Sequence, residues 1–271
     1  APSPISAMLS GVLIKAVGIY AILRLFFNMF AITYEISMVI TVIGVISMVV
    51  GVFLAIGQWD LKRLLAYHSI SQMGYVVIGI GMGMLIINNG GNKSIASLAI
   101  AGGLFHMINH AVFKGLLFLN AGAVEYTTGT RNLKMMGGLS KYMPVTSATS
   151  LGASLSISGI PPFNGFFSKL IIVIAAIKGG FYLIAVLAII VSIVTLASFM
   201  KFQRYAFYNK KSFTKKVKEV PFFMQFSMIV LVILCLGLSL LAIPGIREVI
   251  LTPAVDVLME ATNYSSSIIG M

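Results

Sequence analysis

The 271-residue sequence predicts an all-α polytopic membrane protein with seven transmembrane spans, one of them discontinuous at Pro161-Pro162. Three observations predict it. Hydrophobic residues make up 59% of the chain and charged residues only 10%, against roughly half and a quarter in soluble domains. Mean hydropathy is +1.01. Apolar runs near the ~20 residues that a ~30 Å hydrocarbon core requires recur from one end to the other. Such a composition excludes disordered chains, disulfide scaffolds and soluble enzymes.

The spans are expected at 5–27, 33–57, 66–88, 94–123, 143–177, 180–207 and 221–243. The fifth is too long for one crossing and contains ISGIPPFNGFFSK (157–169). Pro161 and Pro162 each remove an amide donor and clash with the preceding turn, so this span divides into two half-helices. Behind the last span, residues 245–262 mix charged and apolar groups as an interfacial helix does. No basic segment with a small-residue cleavage site precedes the first run, so no signal peptide is expected. The chain reads as the downstream part of something longer. Cys235 has no second cysteine to pair with and reads as packing.

The net charge of +12 is read through topology. Assigning loops to alternate sides gathers Lys62, Arg63, Arg131, Lys134, Lys141, Lys201, Arg204, Lys210, Lys211, Lys215, Lys216 and Lys218 on one side. Arg24, Lys93, Lys178 and Arg247 fall on the other. By the positive-inside rule the first group is cytoplasmic, which puts the N-terminus inside, the C-terminus outside and the chain in the cytoplasmic (inner) membrane. The run KKSFTKKVK (210–218) is a cytoplasmic loop that could also touch anionic lipid. Nothing in this pattern asks for nucleic acid.

Ionisable groups inside the spans carry the chemistry. Lys15 lies near the middle of the first span, about 15 Å from either interface at 1.5 Å per residue, beyond the reach of a snorkelling side chain. A lysine there is a functional candidate by default, with bonding to neighbouring carbonyls as the plain structural alternative. In GLFHMINHAVFKGLLFL (103–119), His106, His110 and Lys114 are four residues apart and fall on one stripe about 12 Å long. Three aligned proton-exchanging groups are hard to explain as packing. Two histidines four apart could serve zinc, but no third protein ligand is evident and Lys114 repels the ion, so no metal is expected. Haem is expected still less, since two histidines on one helix cannot take opposite axial positions on one iron. Lys169 follows the double-proline break, where unwound backbone is tolerated only beside protein or a cavity.

The seven carboxylates, Glu35, Asp60, Glu125, Glu219, Glu248, Asp256 and Glu260, all fall at span ends or in loops. None of them neutralises Lys15, Lys114 or Lys169 at mid-depth, which favours proton exchange over a static ion pair. Between the second and third spans, QWDLKRLLAYHSISQMG (58–74) reads as an amphipathic junction. There Asp60 is expected to pair with Lys62 or Arg63, while Tyr67 and His68 lie near the surface. These three could offer proton access, though anchoring at the interface, with Trp59 in the aromatic belt, is the plainer reading.

The segments APSPISAMLSGVLIKAVGIY, QWDLKRLLAYHSISQMGY, LFHMINHAVFKGLLFLNAG, MMGGLSKYMP and ISGIPPFNGFFSK stand in the order found in antiporter-like subunits of the complex I superfamily. That superfamily includes proton-pumping subunits of NADH dehydrogenase, those of membrane-bound hydrogenases, and the large subunits of Mrp cation/proton antiporters. The chain resembles them over about residues 1–210. The resemblance implies fourteen helices in two inverted five-helix repeats, each with one discontinuous helix, and a central polar relay. The matching positions here are Lys15, His106, His110, Lys114 and Lys169. Lys169 places the chain with the lysine type at a position where other members carry glutamate.

The resemblance starts at the family's eighth helix and divides the chain three ways. Residues 1–30 would be the final helix of a preceding repeat, 31–210 a five-helix repeat, and 211–271 a basic loop, a last span and an interfacial tail. The leading expectation is proton translocation within a redox-driven complex of the membrane-bound hydrogenase or complex I type. The chain would then be a non-redox, ion-translocating part of an oxidoreductase, with no cofactor of its own. An Mrp-type secondary Na+/H+ antiporter subunit is the first alternative, and a non-conducting structural membrane subunit the second. All three imply other membrane subunits as partners, among them an N-terminal half or an upstream antiporter-like chain.

Overall fold

The computed structural model describes residues 2–29, 33–210 and 217–259. Lys211, Lys215 and Lys216 of the basic run, and residues 260–262 of the expected interfacial helix, lie outside the described residues. Among the described residues, six helices are long and apolar enough to cross a membrane. They are α1 (Ser3–Phe27), α2 (Tyr34–Ile56), α3 (Leu61–Asn88), α4 (Lys93–Thr128), α7 (Tyr182–Tyr208) and α8 (Phe222–Ala242). The half-helices α5 (Pro144–Ser158) and α6 (Asn164–Lys178) sit between α4 and α7. Each is 15 residues, or about 22 Å, too short to cross alone.

Local sequence explains where the helices begin. Thr33, Asp60 and Asn92 cap α2, α3 and α4 by accepting the amides of Ile36, Arg63 and Ser94. The Asp60 cap starts the third helix at Leu61, so the expected junction 58–74 is mostly helix. Only Gln58, Trp59 and Asp60 remain between Gly57 and α3. At 36 residues, α4 is about 54 Å long and outruns a ~30 Å hydrocarbon core. It stops at Gly129, which takes a left-handed φ of 71°.

The first span is not a uniform α-helix. Residues Met8–Leu13 and Leu25–Met29 are wound as π-helix, a local widening that frees carbonyls from the regular ladder. The tail also differs from the expected single helix. It forms α9 (Pro244–Ile250) and α10 (Thr252–Met259), because Pro253 cannot continue the ladder of the preceding turn. Val255 and Leu258 of α10 are buried with Ile19, Leu23 and Phe27 of α1. The tail is therefore packed onto the bundle along that face.

Of the six long helices, α3 is the most enclosed. It packs on α2 on one side and on α4 on the other, while α4 also meets both half-helices. The polar residues of α3 and α4 thereby face one another inside the bundle, and exposed apolar side chains such as Val42, Ile46 and Phe53 cover the outside of α2.

Candidate functional site

His106, His110 and Lys114 are all buried in α4, on one stripe as their spacing requires. Lys114 Nζ donates to the Leu65 carbonyl of α3 at 2.6 Å. The same oxygen accepts the Ser69 hydroxyl at 3.1 Å. Ser69 Oγ lies 3.2 Å from Ser10 Oγ on α1, and Lys15 Nζ donates to Ser10 Oγ at 2.8 Å and to the Ser10 carbonyl at 3.3 Å. Lys15 and Lys114 are thus joined through two serine hydroxyls and one carbonyl. The π-helical turn makes the junction possible, since it holds Ser10 together with Gly11, whose backbone is a hydrogen-bond partner of His110.

On the other side of the stripe, His106 is held at both ring nitrogens. Nδ1 is 2.9 Å from Ser168 Oγ and Nε2 is 3.2 Å from Gln72 Oε1. An Nε2–H donating to Gln72 leaves Nδ1 to accept from Ser168. Ser168 precedes Lys169, whose Nζ donates to the Ile157 carbonyl at 2.8 Å and lies 4.7 Å from the centre of the Tyr75 ring. Tyr75 in turn donates to the Ala188 carbonyl at 2.5 Å. Lys169 is buried, and it lines a cavity of about 250 Å³ between α6 and α7, as its position after the break predicts.

The break is built around one reciprocal pair. Asn109 Nδ2 donates to the Asn164 carbonyl and Asn164 Nδ2 donates to Asn109 Oδ1, each at 2.9 Å, while the Ser156 hydroxyl donates to Asn164 Oδ1 at 2.6 Å. These bonds replace the ladder that Pro161 and Pro162 interrupt; the bond between the two prolines is cis. Gly165 allows α6 to pass against the end of α5, since a Cβ there would lie 1.9 Å from the Ser156 carbonyl oxygen. Gly159 ends α5 at φ +78°, and a side chain would meet Lys169 Cδ at 3.1 Å. The glycine leaves the path along which Lys169 reaches Ile157.

The three residues expected near the surface separate. Asp60 pairs with the Arg131 guanidinium at 3.5 Å, while its Oδ1 accepts the Arg63 backbone amide at 3.0 Å. The reason is backbone pairing: Leu61 N donates to the Arg131 carbonyl and Leu133 N to the Trp59 carbonyl, which brings the 131–133 loop alongside Asp60. Lys62 instead meets Glu125 at 2.7 Å. Asp60 and Lys15 share a polar cavity of about 570 Å³ with Ser10, Lys62, Arg63 and Arg131. Tyr67 is half-buried. His68 is fully buried rather than near the surface, with Nε2 2.8 Å from Ser198 Oγ. Trp59 is clamped between Lys134 and Lys201, each 4.7 Å from its ring centre.

Ser10, Ser69, Gln72, Tyr75, Asn109, Asn164 and Ser168 complete the arrangement and were not singled out from sequence. A signal was present for part of the set: Leu65, Ser69, Gln72 and Tyr75 advance by four, three and three, so they share one face of α3. Buried polar atoms without a hydrogen-bond partner, His68 Nδ1, Gln72 Nε2 and His110 Nε2, border the same face. Among the described residues, no group of three or more His, Cys, Asp or Glu is placed to hold a metal ion.

The all-helical, membrane-type bundle shares its fold with chains of Mrp and complex I assemblies. Residues 1–195 match the family described as NADH:quinone oxidoreductase/Mrp antiporter, TM, and the chain belongs to that family. It is 38% identical over 219 residues to a Na(+)/H(+) antiporter subunit from Alkalihalophilus pseudofirmus, covering 79% of this chain and 41% of that protein. It is 34% identical over 283 residues to Na(+)/H(+) antiporter subunit A1 of Staphylococcus haemolyticus, covering 98% of this chain and 35% of that one. The chain therefore spans well under half the length of these curated relatives.

Among solved structures, a chain of the Mrp complex from Dietzia sp. DQ12-45-1b superposes with a TM-score of 0.84 at 25% identity, over 97% of this chain and 55% of that chain. A chain of the membrane-bound sulfane sulfur reductase, an archaeal respiratory membrane complex, gives 0.76 at 31% identity, over 90% and 40%. Respiratory complex I from Thermus thermophilus gives 0.74 at 24% over 93% and 52%, a likeness of fold. The resemblance expected from the sequence motifs is borne out.

Proposed function

We propose that this chain carries protons through the interior of an antiporter-like membrane subunit, by a relay of Lys15, His106, His110, Lys114 and Lys169. The hydrogen-bonded run from Lys15 through Ser10 and Ser69 to the Leu65 carbonyl and Lys114 carries the proposal. Serine hydroxyls donate and accept at once, so a proton leaving Lys15 displaces one at Ser10 and then at Ser69. With Lys114 as the neutral amine, a Ser69 hydroxyl that turns from the shared Leu65 carbonyl toward Nζ passes the proton to its lone pair. From there the stripe leads through His110 to His106, whose Ser168 contact adjoins Lys169. Water serves the gaps at the unpartnered nitrogens of His110 and Gln72. Asp60 and the cavity it shares with Lys15 supply access at the basic end, which we place in the cytoplasm. In this proposal α5 and α6 together make the seventh, discontinuous span.

The relay is tested by Lys114→Met and Lys169→Met in inverted vesicles carrying the assembled complex, read with a pH-sensitive dye. Loss of proton movement with normal assembly is expected. Undiminished movement in both variants overturns the relay and leaves a structural role for the chain.

Two assemblies could house the relay. The Na(+)/H(+) antiporter subunits among its relatives and the Mrp superposition support exchange of a cation for protons. The 31% identity to a respiratory reductase subunit supports a redox-driven pump. Either needs further membrane subunits. Proton movement driven by a sodium gradient without an electron donor selects the first, and dependence on an electron donor selects the second.

A further inference from the structure

We infer that the cavity beside Lys169 binds the carboxylate of a single-chain fatty acid drawn from the lipid phase. The cavity measures about 250 Å³, roughly eight times the ~30 Å³ that a water molecule occupies in the liquid. Its inner wall carries Lys169, Ser158 and Ser192, and Leu170, Ile189 and Ile193 form its mouth. Those last three are exposed on the apolar outer face of α6 and α7. A ligand must therefore arrive through an apolar opening and end at a floor where Lys169 is the one charged lining residue among the described residues.

The floor specifies the head group. Lys169 Nζ has three donors, and one is committed to Ile157 at 2.8 Å. Among the described residues no carboxylate pairs with it. Ser158 also lines the cavity; its Oγ is enclosed and has no hydrogen-bond partner. An ammonium with donors to spare at the end of an apolar cavity asks for an anion on an apolar tail, and a carboxylate offers it two acceptor oxygens. An amphiphilic cation would be repelled by Lys169, and an alcohol would supply a single neutral oxygen. A phosphodiester lipid with two tails is too large for the space. The carboxylate and first methylenes fit the cavity, and the rest of the tail lies across Ile189 and Ile193.

Binding follows from the cavity and its donors alone. Its consequence, that the ligand holds Lys169 in an ion pair and slows transport, rests on the relay proposed above. The test is photolabelling of the assembled complex in native membranes with a diazirine-bearing palmitate, followed by peptide mapping. Label is expected within residues 166–196, and oleate should displace it about tenfold more effectively than oleyl alcohol, the difference one charge-assisted hydrogen bond makes. Ile193→Trp should block labelling and Ile193→Ala should keep it, with both complexes assembled. Lys114→Met should label like the unsubstituted protein whatever it does to transport, which separates failure of the relay from failure of the site. Equal displacement by oleyl alcohol, equal label on the exposed faces of α2 and α8, or full labelling of Ile193→Trp would each overturn the inference.

Discussion

Ser10 and Ser69 meet hydroxyl to hydroxyl at 3.2 Å across the interface of α1 and α3. Their contact links the Lys15 end of the buried axis to the Lys114 end, although neither residue is ionisable. Ser69→Ala removes the hydroxyl on the Lys114 side without opening much space. Proton uptake into inverted vesicles should fall about tenfold or more, the effect of at least ~1.4 kcal/mol on the limiting step. Ser69→Thr keeps the hydroxyl and should restore most of the rate. Full activity in Ser69→Ala would mean that protons bypass the serines.

The Asn109–Asn164 pair is expected to hold the discontinuous segment in shape. Asn109→Leu leaves the Asn164 amide without its acceptor inside the bundle, a loss of about 1–3 kcal/mol for a stranded buried group. Thermal unfolding of the purified chain should shift down accordingly. Adding Asn164→Leu removes that amide too, so the double variant strands fewer groups than the two single changes together and should lose less than their sum.

Lys201 Nζ donates to the Ile56 and Gln58 carbonyls at 2.5 and 2.7 Å and lies over Trp59. It closes the open carbonyl end of α2. Lys201→Met should cost about 1.5–3 kcal/mol, the range for hydrogen bonds to a charged group. Trp59→Phe keeps an aromatic face and should cost less than Trp59→Leu, by about 0.5–1 kcal/mol. Chemical denaturation in detergent measures both.

Glu125 contacts Lys62 at 2.7 Å and Arg131 at 3.7 Å. Its carboxylate side is 34% exposed, so water and salt screen these pairs. Glu125→Gln should destabilise by no more than about 1 kcal/mol. In ~1 M salt, where the Debye length is about 3 Å, the difference should nearly vanish. A large, salt-insensitive loss would assign Glu125 a role beyond these ion pairs.

Hydropathy located the apolar helices and the double proline located the break, because both act through the local chain. The same holds for the stripe of His106, His110 and Lys114, whose alignment follows from helical pitch. The sequence also carried the family's motifs in order. The start of α3 was placed five residues late, since the Asp60 cap extends the helix through charged residues that hydropathy discounts. The π-helical turn in α1 has no local signature, and a regular helix was the natural expectation there.

Partners across helices were beyond the reach of periodicity. Serine, glutamine and asparagine are too common in membrane helices to mark a site until another helix supplies the matching donor or acceptor. The sequence by itself determined that Lys15, Lys114 and Lys169 fall within apolar stretches of the chain; in the fold Lys114 and Lys169 are buried and Lys15 is half-buried. Only the tertiary structure decided what holds them: Ser10 for Lys15, the Leu65 carbonyl for Lys114, and the Ile157 carbonyl and Tyr75 ring for Lys169. It also gave Asp60 an ion pair with Arg131, far along the chain, beside its cap on the Arg63 amide. The physical reason is the same in each case. A side chain's face follows from its own helix, but its partner depends on which helices approach, at what depth and in what register.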